Sequence, residues 1–237
     1  MKDLRVVFMG TPDFAVPVLE KLIENTNVCL VVSQPDKEVG RHKILTPTPV
    51  KKKALEHNIS VFQPSKIRTD YDAICDAKPD IIITCAYGQI IPKVLLDLPR
   101  LGCINVHASL LPYLRGGAPL HHAIIDGYDT TGVTIMYMDE AMDTGDIIST
   151  VTYKIKNTDN VGNIHDNLME MGASLLIETL PSIINGTNKR VKQDNEKATY
   201  AYNISRSDEH LDFTKEGITI DRKVRGLNPW PLANICF

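Results

Sequence analysis

The sequence predicts an α/β, Rossmann-like fold built on a mostly parallel sheet with one antiparallel strand. Three observations carry this. The chain opens as apolar strand, tight turn and amphipathic helix. Further apolar runs then alternate with helical stretches through the first half. Beyond the middle, two alternating strands are joined by a loop too short for a crossover, so they must pair antiparallel.

The chain has 237 residues, room for one large domain or for one domain and part of another. Apolar residues make up 43% and charged residues 23%, which describes an ordinary soluble globular protein. A net charge of -3 gives the whole molecule no attraction to nucleic acid. The charge is uneven, however: Lys37, Arg41, Lys43, Lys51, Lys52 and Lys53 crowd one stretch against Glu38 alone. Such a run is either a solvated face or a contact for a polyanion. The cysteines Cys29, Cys75, Cys85, Cys103 and Cys236 form no CxxC pair, so they read as reduced, mostly buried thiols of a cytoplasmic protein. No histidine has ligand spacing with Cys or Asp, and no metal is expected. No apolar run reaches the length of a membrane span, and the first one is too short for a signal peptide; no membrane contact is expected.

Leu4–Met9 is the first buried strand, Gly10-Thr11-Pro12-Asp13 the turn, and Phe14–Glu24 a helix with Val16, Leu19, Leu22 and Ile23 on one face. GTPDFA lacks the glycines that let a backbone approach a pyrophosphate, which argues against a dinucleotide. Val28–Ser33 is the second strand. Gln34–Val50 is long, polar, basic and proline-containing, and reads as a functional loop. A helix begins at Lys51, Val61-Phe62 is a short strand, and Lys66–Lys78 is weakly helical. Asp80–Ala86 is a third strong strand, followed by the apolar loop Tyr87–Pro92 with a glycine hinge. Its isoleucines suggest a pocket wall, or else a buried helix start.

The stretch Leu101–Leu120 is the least ordinary. Asn105 and His107 are two apart on a strand and point to one face. Ser109–Pro112 ends that strand, Arg115-Gly116-Gly117 reads as a flexible turn, and a helix starts at Ala118 and runs to Gly127. A polar pair fills a core poorly, but presents an amide and an imidazole well at the carboxyl edge of a parallel sheet. Gly132–Met138 and Ile147–Ile155 are the antiparallel strands, and Asp139–Asp146 between them holds four carboxylates without a calcium-loop spacing. Asn160–Ile184 is a long amphipathic helix capped by Asp159 or Asn160 and ended by Asn185-Gly186. Thr187–Thr199 reads as a linker leaving the domain. Ile218–Leu227 is helical, then come Asn228-Pro229-Trp230-Pro231 and the apolar Leu232–Phe237.

If Asn105, His107 and Asp143 converge, the trio suits direct acyl transfer. An amine attacks a carbonyl carbon, Asn105 and protonated His107 stabilise the oxyanion, and Asp143 holds the imidazole's proton or helps to move it. No activated Ser or Cys is evident, so no acyl-enzyme is required. The apolar loops alongside would hold a flat, heteroaromatic donor.

NVHASLLPYLRG followed by DTGD resembles the folate-dependent formyltransferases. GTPDFA, QPD, TPTPVK, AYGQIIP, GVTIM and NPWP resemble the branch of that family directed at tRNA, in the right order over nearly the whole chain. The resemblance implies a formyltransferase fold, 10-formyltetrahydrofolate as donor, no metal, and initiator methionyl-tRNA as the acceptor partner. It places the catalytic trio on Asn105, His107 and Asp143. The folate site falls on Ser109, Leu110, Leu111 and Pro112, on Gln89, Ile90 and Ile91, and on the acidic loop from Asp139. Contacts to the acceptor end fall on Arg41 and Lys43. The expected organisation is a catalytic domain over 1–189, a linker over 190–205 and, over 206–237, the start of a truncated C-terminal domain, in a monomer. The nearest alternative is a sugar-nucleotide N-formyltransferase with the same donor and trio. A formyltetrahydrofolate hydrolase and a non-catalytic Rossmann-type binding module are further ones.

Overall fold

The structure is a computed structural model and describes residues 1–235. Its elements in chain order are β1 (Arg5–Gly10), α1 (Val16–Asn25), β2 (Asn27–Val32), β3 (Lys37–Val39), β4 (Ile44–Thr46), α2 (Pro49–Glu56), β5 (Val61–Phe62), α3 (Asp72–Asp76), β6 (Ile81–Cys85) and α4 (Lys93–Leu96). Then follow β7 (Cys103–His107), α5 (Pro119–Ile125), β8 (Thr130–Tyr137), β9 (Ile147–Lys154), α6 (Val161–Ile184) and α7 (Gly217–Gly226). Seven strands form one sheet in the order β5-β2-β1-β6-β7-β8-β9. Neighbours are parallel as far as β7, while β8 pairs antiparallel with both β7 and β9. So β8 alone runs against the rest, as the sequence predicts.

The strand sequences explain their places. β6 is IIITC and every residue in it is buried, as a central parallel strand covered on both faces requires. β9, IISTVTYK, alternates half-buried and exposed positions because one face of this edge strand meets water. One apolar layer joins α1, α2, α5 and α6 to the sheet, with Phe8, Leu19, Leu22, Ile83, Leu168 and Leu176 at its centre. The opposite layer gathers Met9, Val32, Ile67, Ile74, Ile82 and Leu95. From β1 the chain moves out to β2 and β5, then returns to β6 on the other side, so a ligand crevice forms at the carboxyl ends where direction reverses.

α6 starts at a reciprocal cap: the Asn163 N–H donates to the Asn160 side chain (2.9 Å) and the Asn160 N–H to the Asn163 side chain (3.1 Å). Gly172 lets this helix lie close on the sheet, since a Cβ there would come within 3.1 Å of Val106 and 3.3 Å of Val133.

Five stretches differ from the sequence reading. The basic loop contains a hairpin, β3 and β4, with Arg41 and Lys43 at its tip. The following helix begins at Pro49 rather than Lys51, because Thr48 caps it by accepting the Lys51 N–H at 3.1 Å and Pro49 fits the first turn. Of Lys66–Lys78 only Asp72–Asp76 is helical. The Thr187–Thr199 stretch does not run away from the sheet. Val191 and Ile147 exchange two backbone bonds of 2.9 and 2.8 Å, and Leu114 and Arg115 donate to the Thr199 hydroxyl and carbonyl, each at 2.9 Å. Arg115-Gly116-Gly117 is correspondingly no flexible turn: Arg115 is 2% exposed.

The C-terminal stretch docks through Trp230, whose ring meets His165 edge-on at 5.3 Å and His121 at 6.4 Å. Cys236 and Phe237, the end of the apolar tail, lie outside the described residues. Cys29, Cys75, Cys85 and Cys103 are free thiols, and burial pushes Cys85 and Cys103 up to about 12, so both are inert as nucleophiles. Among the described residues no group of side chains could hold a metal ion, and no helix is long and apolar enough to cross a membrane.

Candidate active site

The site is built at the carboxyl end of β7. Asn105 and His107 share the sheet face that carries Thr84, the register partner of Asn105 on β6. The Thr84 hydroxyl donates to Asn105 Oδ1 at 2.8 Å. This fixes the amide: its oxygen is engaged by the protein, and its NH2 group is left for a ligand. The His107 ring is held from the other side, where Nε2–H donates to the Leu114 carbonyl at 3.1 Å. A carbonyl only accepts, so Nε2 carries a proton and Nδ1 is the nitrogen that faces the site.

The segment after β7 folds back to make that contact possible. The Ser109 hydroxyl donates to the Tyr113 carbonyl (2.6 Å), and the Thr134 hydroxyl donates to the Ser109 carbonyl (2.7 Å) while accepting the Leu111 N–H (3.2 Å). Leu114 then takes a left-handed φ of 58°, a costly conformation for a branched side chain, held here by the bond from its N–H to Thr199.

The acidic loop between β8 and β9 supplies the third group. Its four carboxylates have four different environments. Asp139 turns inward on its own loop, accepting from the Ala141 N–H (3.2 Å) and the Thr144 hydroxyl (2.6 Å). Glu140 pairs with Lys93 on α4 at 2.9 Å, and Asp146 with Arg190 at 2.9 Å. Only Asp143 reaches the trio: Oδ2 accepts the Gly116 N–H at 2.8 Å, and Oδ1 lies 3.6 Å from His107 Nδ1. That separation is too long for a direct hydrogen bond and leaves the two groups flanking one small space. Of the three residues the sequence singles out, His107 and Asp143 lie side by side, and Asn105 stands two residues before His107 on the same face of β7.

The remaining predicted residues divide. Leu110 and Pro112 are half-buried beside the trio, Leu111 is buried, and Ile90 stands out of the neighbouring loop at 62% exposure. Ile91 is buried in the apolar layer that holds Met9, Ile82 and Leu95. The Gln89 side chain is an internal tie, accepting the Ile67 N–H at 2.9 Å, so only its backbone is available to a ligand. The Ser109 side chain is fully buried. Of the basic run, Lys51 is paired with Asp36 at 2.6 Å, and Lys53 with Glu20 at 2.9 Å and Glu56 at 2.7 Å. Arg41 and Lys43 are exposed on the hairpin and enter no ion pair among the described residues.

Sequence reasoning missed Thr84 and Gln193. Thr84 left a faint signal, as the one hydroxyl in an otherwise apolar buried strand. Gln193 left none, because its stretch is polar throughout and its role depends on a fold-back that spacing does not encode. Its amide nitrogen donates to the carbonyls of Asp143 and Gly145, both at 2.8 Å.

A mostly parallel sheet in this strand order, with an amide, an imidazole and a carboxylate at its carboxyl edge, defines a Rossmann-like α/β architecture with a polar crevice. The model of the family described as formyl transferase matches residues 4–180, and that of its C-terminal domain matches residues 203–237. The chain belongs to the formyl transferase family. Within it, the methionyl-tRNA formyltransferase of Geobacillus sp. (strain WCH70) is 56% identical over 237 residues, covering 99% of this chain and 74% of that one. Solved structures share the fold at lower identity. An N-formyltransferase from Helicobacter canadensis, in complex with folinic acid and dTDP-3-aminofucose, superposes with a TM-score of 0.70 at 22% identity, covering 95% of this chain and 80% of that chain. The methionyl-tRNA formyltransferase from Clostridium thermocellum superposes with a TM-score of 0.66 at 17% identity, covering 99% and 88%.

Proposed function

We propose that this chain transfers the formyl group of 10-formyltetrahydrofolate to the free amino group of methionyl-tRNA, the initiator formylation that serves translation initiation in the cytoplasm. The observation that carries this reading is His107 beside Asp143 at 3.6 Å, with Asn105 on the same face of β7 two residues before it, in a chain 56% identical to a methionyl-tRNA formyltransferase.

The chemistry follows from the atoms. The amine nitrogen attacks the formyl carbon, and the carbonyl electron pair moves onto oxygen. The Asn105 NH2, aimed by Thr84, and the His107 Nδ1–H donate to that oxyanion. Collapse of the tetrahedral intermediate breaks the bond to N10 of the folate, which receives the proton that the amine gives up. Asp143, beside Nδ1, accepts and returns that proton by way of the imidazole or a water between them. Leu110, Leu111, Pro112 and Ile90 form apolar walls for the flat pterin, with backbone groups of the Gln89–Ile91 loop and the acidic loop at its polar edge. Arg41 and Lys43, at the tip of a hairpin beyond the second strand, contact acceptor phosphates.

The test is formyl transfer from 10-formyltetrahydrofolate to charged initiator tRNA, with amino-sugar nucleotides offered in parallel. Transfer to the tRNA alone supports the proposal; transfer to the sugar nucleotide instead makes this a sugar N-formyltransferase.

A further inference from the structure

Arg115 is a large buried cation without an anion. At 2% exposure its guanidinium makes no ion pair among the described residues. Its partners are neutral amides: Nε and an Nη donate to Gln193 Oε1 at 3.1 and 2.7 Å, and the same Nη donates to Asn195 Oδ1 at 2.8 Å. Burying a charge on neutral acceptors is costly, and a carboxylate would satisfy it better. The geometry explains the choice of an amide. While the Gln193 oxygen faces Arg115, its nitrogen donates to the carbonyls of Asp143 and Gly145 at 2.8 Å each. A carboxylate in that place could hold Arg115 but would turn a second oxygen onto two carbonyl oxygens.

We infer that Arg115 and Gln193 form a brace that positions Asp143 for the formyl transfer proposed above, and that Gln193 is a positioning residue of this reaction. Asp143 needs holding. It sits at a φ of 56°, in the left-handed region, on a short loop whose other carboxylates are directed elsewhere. Its side chain is fixed by the N–H of Gly116, the residue next to Arg115, and its carbonyl by Gln193, which Arg115 holds through the amide oxygen. The guanidinium fixes which way the Gln193 amide faces, because it can only donate to the oxygen end. The brace thus converts a buried charge into the orientation of a neutral amide, and that orientation into the place of a carboxylate 3.6 Å from His107.

Gln193→Glu separates positioning from mere structural support. The variant leaves Arg115 an acceptor, now a charged one, and removes the two donors to the acidic loop. Expected are a melting temperature close to that of the wild type, an unchanged KM for tRNA, and a kcat lower by about 10- to 100-fold, the scale of a displacement of about 1 Å. Amide exchange in residues 139–146 should quicken while α6 exchanges as before. Wild-type kcat and exchange in the variant, or a loss of kcat that only follows a fall in melting temperature, would overturn the inference. If the wild type itself transfers no formyl group, the functional reading fails, while the exchange experiment still decides whether the brace exists.

Discussion

Thr84 donates its hydroxyl proton to Asn105 Oδ1 at 2.8 Å across the β6–β7 pair, so a buried threonine decides which end of the asparagine faces the site. In Thr84→Val the shape is kept and the hydroxyl lost, and the amide is free to flip. We predict a fall in kcat of about fivefold, roughly the worth of one net hydrogen bond of about 1 kcal/mol. Thr84→Ser should retain most of the rate. Steady-state kinetics of the pair checks this, and equal rates for valine and serine would remove Thr84 from the account.

Gly116 presents its N–H to Asp143 from a φ of 118°, with the Ala201 carbonyl 2.6 Å from where a Cβ would stand. Gly116→Ala is therefore strained in backbone and in contact. The expected loss is on the order of 1–3 kcal/mol of unfolding free energy, measured in urea, together with reduced transfer. An alanine variant of wild-type stability would contradict the close packing of the 190–201 stretch on this loop.

The legibility of the chain follows the range of its interactions. The strands, α6 and the antiparallel excursion could be read because apolar period and loop length are local properties. Asn105 and His107 could be read because a polar pair inside an apolar strand is conspicuous. The hairpin at Lys37–Thr46 was hidden by the absence of an alternating apolar pattern, all three residues of β3 being exposed. The buried state of Arg115 and the return of residues 191–201 were hidden because both rest on polar contacts between positions far apart in sequence, such as Arg115 with Asn195 and Val191 with Ile147. Composition gave that stretch few apolar residues, with Val191 and Tyr200 exposed and the small Ala201 buried, so its path resembled a solvated linker.

The hairpin cations should act on binding. Arg41→Ala and Lys43→Ala are expected to raise the KM for tRNA and leave kcat at saturation and the folate KM unchanged. Each should also lower the salt slope of tRNA binding by about one, if each neutralises one phosphate. A titration of tRNA affinity against salt reads this directly. An unchanged slope in both variants would return the hairpin to the status of a solvated surface.

Acid should loosen the C-terminal docking. Burial pushes the His121 imidazole below its ordinary value, opposed by its bond to the Gly226 carbonyl. The unfolded or undocked chain then binds a proton that the folded one refuses. This contribution to stability is full above the ordinary histidine value of about 6.5 and is lost as pH falls below it. The neighbouring His122 has the opposite sign: its bond to Asp126 raises it, so its contribution is full below the ordinary value and fades as pH rises through the raised one. Trp230, the single tryptophan, lies against His121 and reports the docking. Its fluorescence should change as pH falls from about 7 to about 5, and the change should shrink in His121→Gln. A flat signal over that range would show that His121 does not couple α5 to the C-terminal stretch.

The most direct test of the central claim is the single-turnover rate of formyl transfer to charged initiator tRNA in wild type and Asn105→Ala. The site predicts a loss of about 10²- to 10³-fold with folate binding retained, the usual effect of removing one oxyanion donor. A near-normal rate in Asn105→Ala would mean that the amide held by Thr84 does not serve the reaction, and that the chemistry lies elsewhere.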